Sequence, residues 1–105
     1  MNIQIDGSNL EVSQKIKDMI EEKLISKLDH LLPKFNNEIK TAFLHLQKGK
    51  YKTYLVKFDM VLPGKSGQIV ATNEHRLLIS AITGLREQVE KQIKKYKSDQ
   101  VNYSL

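Results

Sequence analysis

Lysines are the residues in this sequence whose types and spacing can do chemistry. Lys91 and Lys95 stand four apart, so on a helix they share one face with Cβ atoms about 5–6 Å apart. Lys94 and Lys97 flank them, and no acid interrupts 91–97. Lys23 and Lys27 repeat that spacing earlier in the chain, with Asp18, Glu22 and Asp29 on another part of the helix surface. A third group, Lys48-Gly49-Lys50-Tyr51-Lys52, reads as a basic loop. Segregated charge of this kind suits a phosphate backbone. Each lysine that neutralises a phosphate releases condensed counterions, and the affinity becomes steeply salt-dependent. A blander account is that lysines complement the negative end of a helix dipole, at about 0.3–1 kcal/mol each. That covers Lys94, Lys95 and Lys97 but neither Lys23 nor the basic loop, so the polyanion reading is preferred.

The overall charge points the same way. Lys and Arg total 17 against 12 acids, a net charge of +5 with a pI near 9.4. A surface kept basic for solubility alone gives the same totals, so it is the spacing that decides. One loop tyrosine, Tyr51, is little aromatic content for stacking on bases, and no aromatic pair of the kind used in single-strand readout is present. Shape and backbone recognition of folded RNA fits better.

Catalytic groups are sparse. His30, His45 and His75 are the only histidines and fall on a helix, a strand and a loop. They match neither HExxH nor any paired-His spacing, so no metal site is expected. Gly64 and Gly67 sit in a hairpin turn and fit neither Walker nor Rossmann spacing. His45 next to Asp59 across two strands is imaginable as an acid–base pair. A strand-surface histidine without a role is the better account, because acid–base catalysis also needs a pocket and a nucleophile. No catalytic residue, cofactor or small-molecule substrate is assigned, and the chain reads as a binding protein. With no cysteine, disulfide frameworks and thiolate zinc sites are excluded. The first residues lack the basic start and apolar run of a signal peptide, and no apolar stretch approaches the ~18 residues of a membrane span. A cytoplasmic protein with no membrane partner is expected.

Positioning these groups takes a framework, and 105 residues supply one domain with one core. With 40% hydrophobic and 28% charged residues the chain reads as globular, not disordered. Ile3 and Ile5 alternating with Asn2, Gln4 and Asp6 predict a short strand, broken by Gly7-Ser8-Asn9. Ser13 is the expected N-cap of a helix whose apolar stripe is Ile16, Met19, Ile20, Leu24, Leu28 and Leu31, ending before Pro33. Residues 38–47, 53–62 and 68–73 read as an antiparallel meander, the second strand setting Tyr54, Val56, Phe58, Met60 and Leu62 on one face. A long helix follows at about 76–97, with Leu78, Ala81, Ile82, Leu85, Val89, Ile93 and Tyr96 in one stripe. Gly84 interrupts that helix, at a cost of about 1 kcal/mol relative to Ala if the position is exposed. Residues 98–105 read as a short polar tail after a domain spanning 1–97. The order β-α-β-β-β-α makes a two-layer α+β domain. Its first helix is a right-handed crossover that leaves strands one and two parallel. Both helices cover one face of a four-stranded sheet, and the other face stays open.

The runs Ile3 to Ser13, Lys23-Leu24 with Lys27-Leu28, Ile69 to Thr72, and Ala81-Ile82 through Lys95 together resemble the bacterial ribosome hibernation factors, the hibernation-promoting factor and ribosome-associated inhibitor family. The run Ile3-Gln4-Ile5-Asp6-Gly7-Ser8-Asn9-Leu10-Glu11-Val12-Ser13 is similar to the family's first strand, turn and helix cap. Lys23-Leu24 and Lys27-Leu28 resemble its basic first-helix motif, and Ile69-Val70-Ala71-Thr72 its last strand. Ala81-Ile82 with Leu85, then Lys91-Gln92-Ile93 with Lys95, resembles its second helix. The resemblance covers residues 1–97 and rests on the whole pattern. Leu77, Ile79, Thr83 and Gln88 depart from the usual residues, and the first helix is about one residue longer, which marks a divergent member.

The resemblance implies a fold like that of double-stranded-RNA-binding domains. It implies binding to the 30S subunit or 70S ribosome in the channel used by mRNA and tRNA, with translation blocked in stationary phase or stress. Carried over by position, Lys23, Lys27, Lys91 and Lys95 contact 16S ribosomal RNA. Gln92 is a weaker match, and Lys94 and Lys97 join by proximity. The chain resembles a short form, without the long forms' C-terminal dimerisation domain or the inhibitor's acidic tail. A monomer is expected when free, with ribosome pairing left to another factor. A second reading is a protein-interaction module of the same fold, using the open sheet face or an exposed edge strand.

Overall fold

The Ser13 hydroxyl accepts from the backbone N–H of Ile16 at 3.2 Å, and the chain enters its first helical rod there, as the cap residue predicts. The computed structural model describes residues 1–35, 40–64 and 67–104, with side chains described up to residue 99. The rod has three sections: α1 (Gln14–Ile20), a π-helical turn (Glu21–Ile25) and α2 (Ser26–Leu31). The π turn is not visible in the apolar spacing. At its end the Ser26 N–H bonds to the Glu21 carbonyl, five residues back, while the Ser26 hydroxyl donates to the Glu22 carbonyl at 3.1 Å. The side chain thus satisfies an acceptor that the wider turn leaves free. Inside this turn Leu24 and Ile25 are both buried, although Ile25 lies outside the predicted stripe. A π turn accommodates one surplus residue within a helix, which matches the extra length read from the sequence.

Four strands form one sheet: β1 (Asn2–Ser8), β2 (Thr41–Lys48), β3 (Tyr54–Val61) and β4 (Gln68–His75), in the order β1-β2-β3-β4. β1 runs parallel to β2, and the remaining pairs are antiparallel, as the crossover reading expects. The expected start of β2 at Glu38 lies outside the described residues. β4 continues past Asn73 because Leu55 and Tyr54 pair with Glu74 and His75. Alternation sends Ala42, Leu44, Leu46, Val56, Phe58, Met60, Ile69 and Ala71 into the core.

The last helix, α3 (Leu78–Ser104), begins two residues after Arg76, with the Leu77 carbonyl accepting from the Ala81 N–H at 3.0 Å. It runs on through 98–104, the stretch read as a tail, where no Gly or Pro stops it. Its predicted stripe is buried from Ala81 to Tyr96, with Leu78 partly buried, against the same sheet face as the rod. Gly84 is partly buried, and its place in the helix has a packing reason. A Cβ there would lie 2.3 Å from the Asn73 side-chain nitrogen, which donates to the Ala81 carbonyl at 3.0 Å. Glycine lets α3 close onto β4 at this point.

The far end of the rod is tied by charge to the residues that lead into β1 and β2. Lys40, 5% exposed, meets Asp29 at 3.0 Å, and Asp29 also holds the Met1 ammonium at 2.9 Å. Burial by itself raises the Asp29 carboxyl, but the hydrogen bonds and charges of the Met1 ammonium and Lys40 outweigh it and hold it below the ordinary value of 3.8.

Candidate nucleic-acid interface

Two contacts set α3 alongside the rod. Arg86 donates to the Lys23 carbonyl at 3.4 Å, and the Lys97 ammonium donates to the Leu31 carbonyl at 2.9 Å. Both elements therefore run in the same direction, with 23–31 flanking 86–97. Between them lies a cleft of about 350 Å³ lined by Ser26, Lys27, His30, Leu31, Glu90 and Lys94. The cleft brings together Lys27 and Lys94, a pairing across helices that neither four-residue spacing reveals. Glu90 is engaged by Arg86 at 3.1 Å, so the one acid in the cleft wall already has a cation.

The predicted lysines divide by what they touch. Lys27, Lys91, Lys94 and Lys95 are exposed, and no ion pair among the described residues engages any of them. Lys95 lies on the other flank of α3, in a hollow of about 320 Å³ shared with Gln68, Ile69, Gln92, Tyr96 and Asp99. Lys23 sits within the π turn, half-buried, with its ammonium 3.7 Å from Glu22. Lys97 caps the end of α2 through Leu31. Gln92 is turned to the sheet, where its amide bonds both backbone groups of Val70. Arg86 and Glu90 are structural residues of the cleft that went unremarked in the sequence. Their i, i+4 spacing was the available signal.

The histidine on the open sheet face pairs with Asp6 and not with Asp59. The register sets His45 opposite Asp6 on β1 and Lys57 on β3, whereas Asp59 lies opposite Phe43 and Val70. His45 Nδ1 bonds the Asp6 carboxylate, and Nε2 lies 3.1 Å from the Ser8 hydroxyl. This Ser–His–Asp chain does not make a hydrolase site. Asp6 is 69% exposed and His45 34%, so water competes for each bond and nothing preorganises the serine. The described residues hold no group of three or more His, Asp or Glu able to bind a metal. No described helix is long and apolar enough to cross a membrane.

A mixed four-stranded sheet, two helices on one face and exposed lysines on both helices, outside the described ion pairs, define a small basic α+β domain. The chain belongs to the Sigma 54 modulation protein / S30EA ribosomal protein family, whose model matches residues 3–100, and this is the family of ribosome hibernation factors. It is 30% identical over 100 residues to a ribosome hibernation promoting factor of Pseudomonas putida, covering 95% of this chain and 90% of that one. A ribosome hibernation promotion factor of Staphylococcus aureus is 28% identical over 98 residues, and there the chain spans 49% of the relative. The fold is similar to the Thermus thermophilus Protein Y N-terminal domain, with TM-score 0.76, 28% identity, and coverage of 91% of this chain and 99% of that one. A ribosomal subunit interface protein from Coxiella burnetii shares the fold, with TM-score 0.71 at 23% identity over 93% of this chain and 99% of that one.

Proposed function

We propose that this chain is a ribosome hibernation factor that docks on the small subunit by binding 16S ribosomal RNA in the mRNA–tRNA channel. A ribosome-associated hibernation role accords with its family, and ribosome association implies a cytoplasmic location. The observation that supports an RNA surface is the set of four exposed lysines, Lys27, Lys91, Lys94 and Lys95, left out of the described ion pairs on two packed helices. In this reading they neutralise phosphates, with Lys23 beside them at the π turn, while Lys97 and Gln92 hold the surface in shape from its margins. No chemistry is required; occupancy of the channel excludes mRNA and tRNA, and the free protein is a monomer.

Co-sedimentation with 30S and 70S particles over a salt series tests this. Each lost phosphate contact removes about 0.9 from the slope of log affinity against log salt. Replacing Lys27, Lys91, Lys94 and Lys95 by Ala should therefore flatten the slope by roughly 3 to 4 and restore translation. Unchanged inhibition by that variant sinks the lysine assignment, and absence of binding at low salt sinks the ribosomal reading. The second outcome favours a protein-interaction role for the open sheet face, where Phe43, Val61 and Val70 are at least half exposed.

A further inference from the structure

The hairpin joining β2 to β3 presents a feature that the helical lysines do not share. Lys48 and Tyr54 form its last strand pair, and the Gly49 N–H closes the tip on the Thr53 carbonyl at 2.8 Å. At the tip Tyr51 is 87% exposed, the most exposed large hydrophobic side chain among the described residues. Lys48, Lys50 and Lys52 surround it, all exposed, and none joins a described ion pair. Lys48 lies over the Tyr54 ring at 5.9 Å, so the hairpin stem already holds one cation against an aromatic face.

The backbone adds an independent sign. Lys52 has φ 59°, the left-handed region that glycine or asparagine occupies at less cost. A lysine held there keeps its charge at the tip against local conformational preference, a form of strain that concentrates at functional sites.

We propose that this tip is a second RNA contact, in which Tyr51 stacks on an unpaired nucleobase while Lys48, Lys50 and Lys52 hold the flanking phosphates. Aromatic rings and a cationic rim are what single-stranded nucleic acid requires: the ring takes any base, and the lysines track the backbone. An anionic membrane is the weaker match, because one ring offers little apolar area to insert. The contact is separate from the helical surface. Tyr54 pairs with His75 beside the start of α3, and Lys91 comes thirteen residues after Leu78, about 20 Å further along the helix. This inference concerns unpaired RNA and holds whether or not the helices dock on ribosomal RNA.

The test compares the whole chain binding a short single-stranded oligoadenylate and an abasic strand of the same length. Phosphate contacts are common to both strands; only stacking distinguishes them. The wild type should prefer the oligoadenylate by roughly 5- to 150-fold, the range of aromatic-to-Ala losses at stacked bases. Tyr51→Ala should abolish that preference and Tyr51→Phe should keep it. Replacing Lys48, Lys50 and Lys52 by Gln should weaken both strands and lower the salt slope by about 2, at roughly 0.7 per single-strand phosphate. The Lys27, Lys91, Lys94 and Lys95 to Ala variant should retain the base preference even if ribosome binding is lost, which separates this contact from the helical one. Lys52→Gly should bind RNA more weakly yet melt no lower than wild type. Equal binding of the two strands by the wild type overturns the proposal. So does a preference that survives Tyr51→Ala, or Tyr51-dependent binding to phosphatidylserine vesicles without base preference.

Discussion

Gln92 on α3 bonds both backbone groups of Val70 on β4: its amide nitrogen donates to the carbonyl at 2.8 Å and its oxygen accepts from the N–H at 3.3 Å. β4 is an edge of the sheet, so those groups face no neighbouring strand. One side chain imitates the pairing that a fifth strand would supply. Gln92 thereby fixes the flank of α3 on which Lys95 stands.

Gln92 is thus expected to act through position and not through direct RNA contact. Gln92→Ala should lower stability by about 1–2 kcal/mol, the usual worth of such bonds, measured by urea unfolding. Its ribosome binding should keep the wild-type salt slope, whereas Lys95→Ala should reduce that slope by about 1. An unaltered stability combined with a lowered slope would reverse the two assignments.

Gly84 and Asn73 should be strongly coupled. Gly84→Ala gains about 1 kcal/mol of helix propensity but drives a methyl into the Asn73 amide and breaks its bond to Ala81. In the wild-type background the substitution should be destabilising. In an Asn73→Ala background the obstacle is gone, and the same change should stabilise by up to about 1 kcal/mol. A double-mutant cycle from thermal melts reads the coupling directly.

Acid should loosen the junction of rod and sheet. The folded-state Asp29 carboxyl is held below its usual 3.8, so its contribution is complete above that value and disappears as pH falls through the lower folded-state pKa. Asp29→Asn leaves the buried Lys40 without its carboxylate and should cost roughly 1–3 kcal/mol at neutral pH. The gap between wild-type and variant melting temperatures should begin to close only below pH 3.8 and vanish as pH falls through the lower folded-state pKa. A constant gap across that range would mean that the ion pair does not contribute.

Much of this molecule was legible in its sequence, for identifiable reasons. Alternation in Tyr54–Val61 and the three-and-four spacing of α3 are local periodicities, and they survive folding unchanged. The paired lysines were visible because four-residue spacing places side chains on one face of any helix. What escaped depends on partners distant in sequence. His45 meets Asp6 because parallel pairing of β1 with β2 sets them in register 39 residues apart. Lys27 meets Lys94 only after α3 lies down beside the rod. Lys97 and Gln92 have the residue types of nucleic-acid contacts, and only the folded chain turns them to backbone groups. The π turn escaped for another reason: Ile20, Leu24 and Leu28 keep an α-helical spacing across it.

That π turn also gives the rod a tolerance to changes in length. In a regular helix, inserting a residue rotates everything beyond it by about 100° and would swing Lys27 out of the cleft. Here the surplus is confined to Glu21–Ile25, between a Ser13 cap at one end and the Lys97–Leu31 latch at the other. Deleting one residue within Glu21–Ile25 should therefore turn this stretch into regular α-helix while Lys27 continues to face Lys94. The turn works as an expansion joint, and the charged surface stays in register across it.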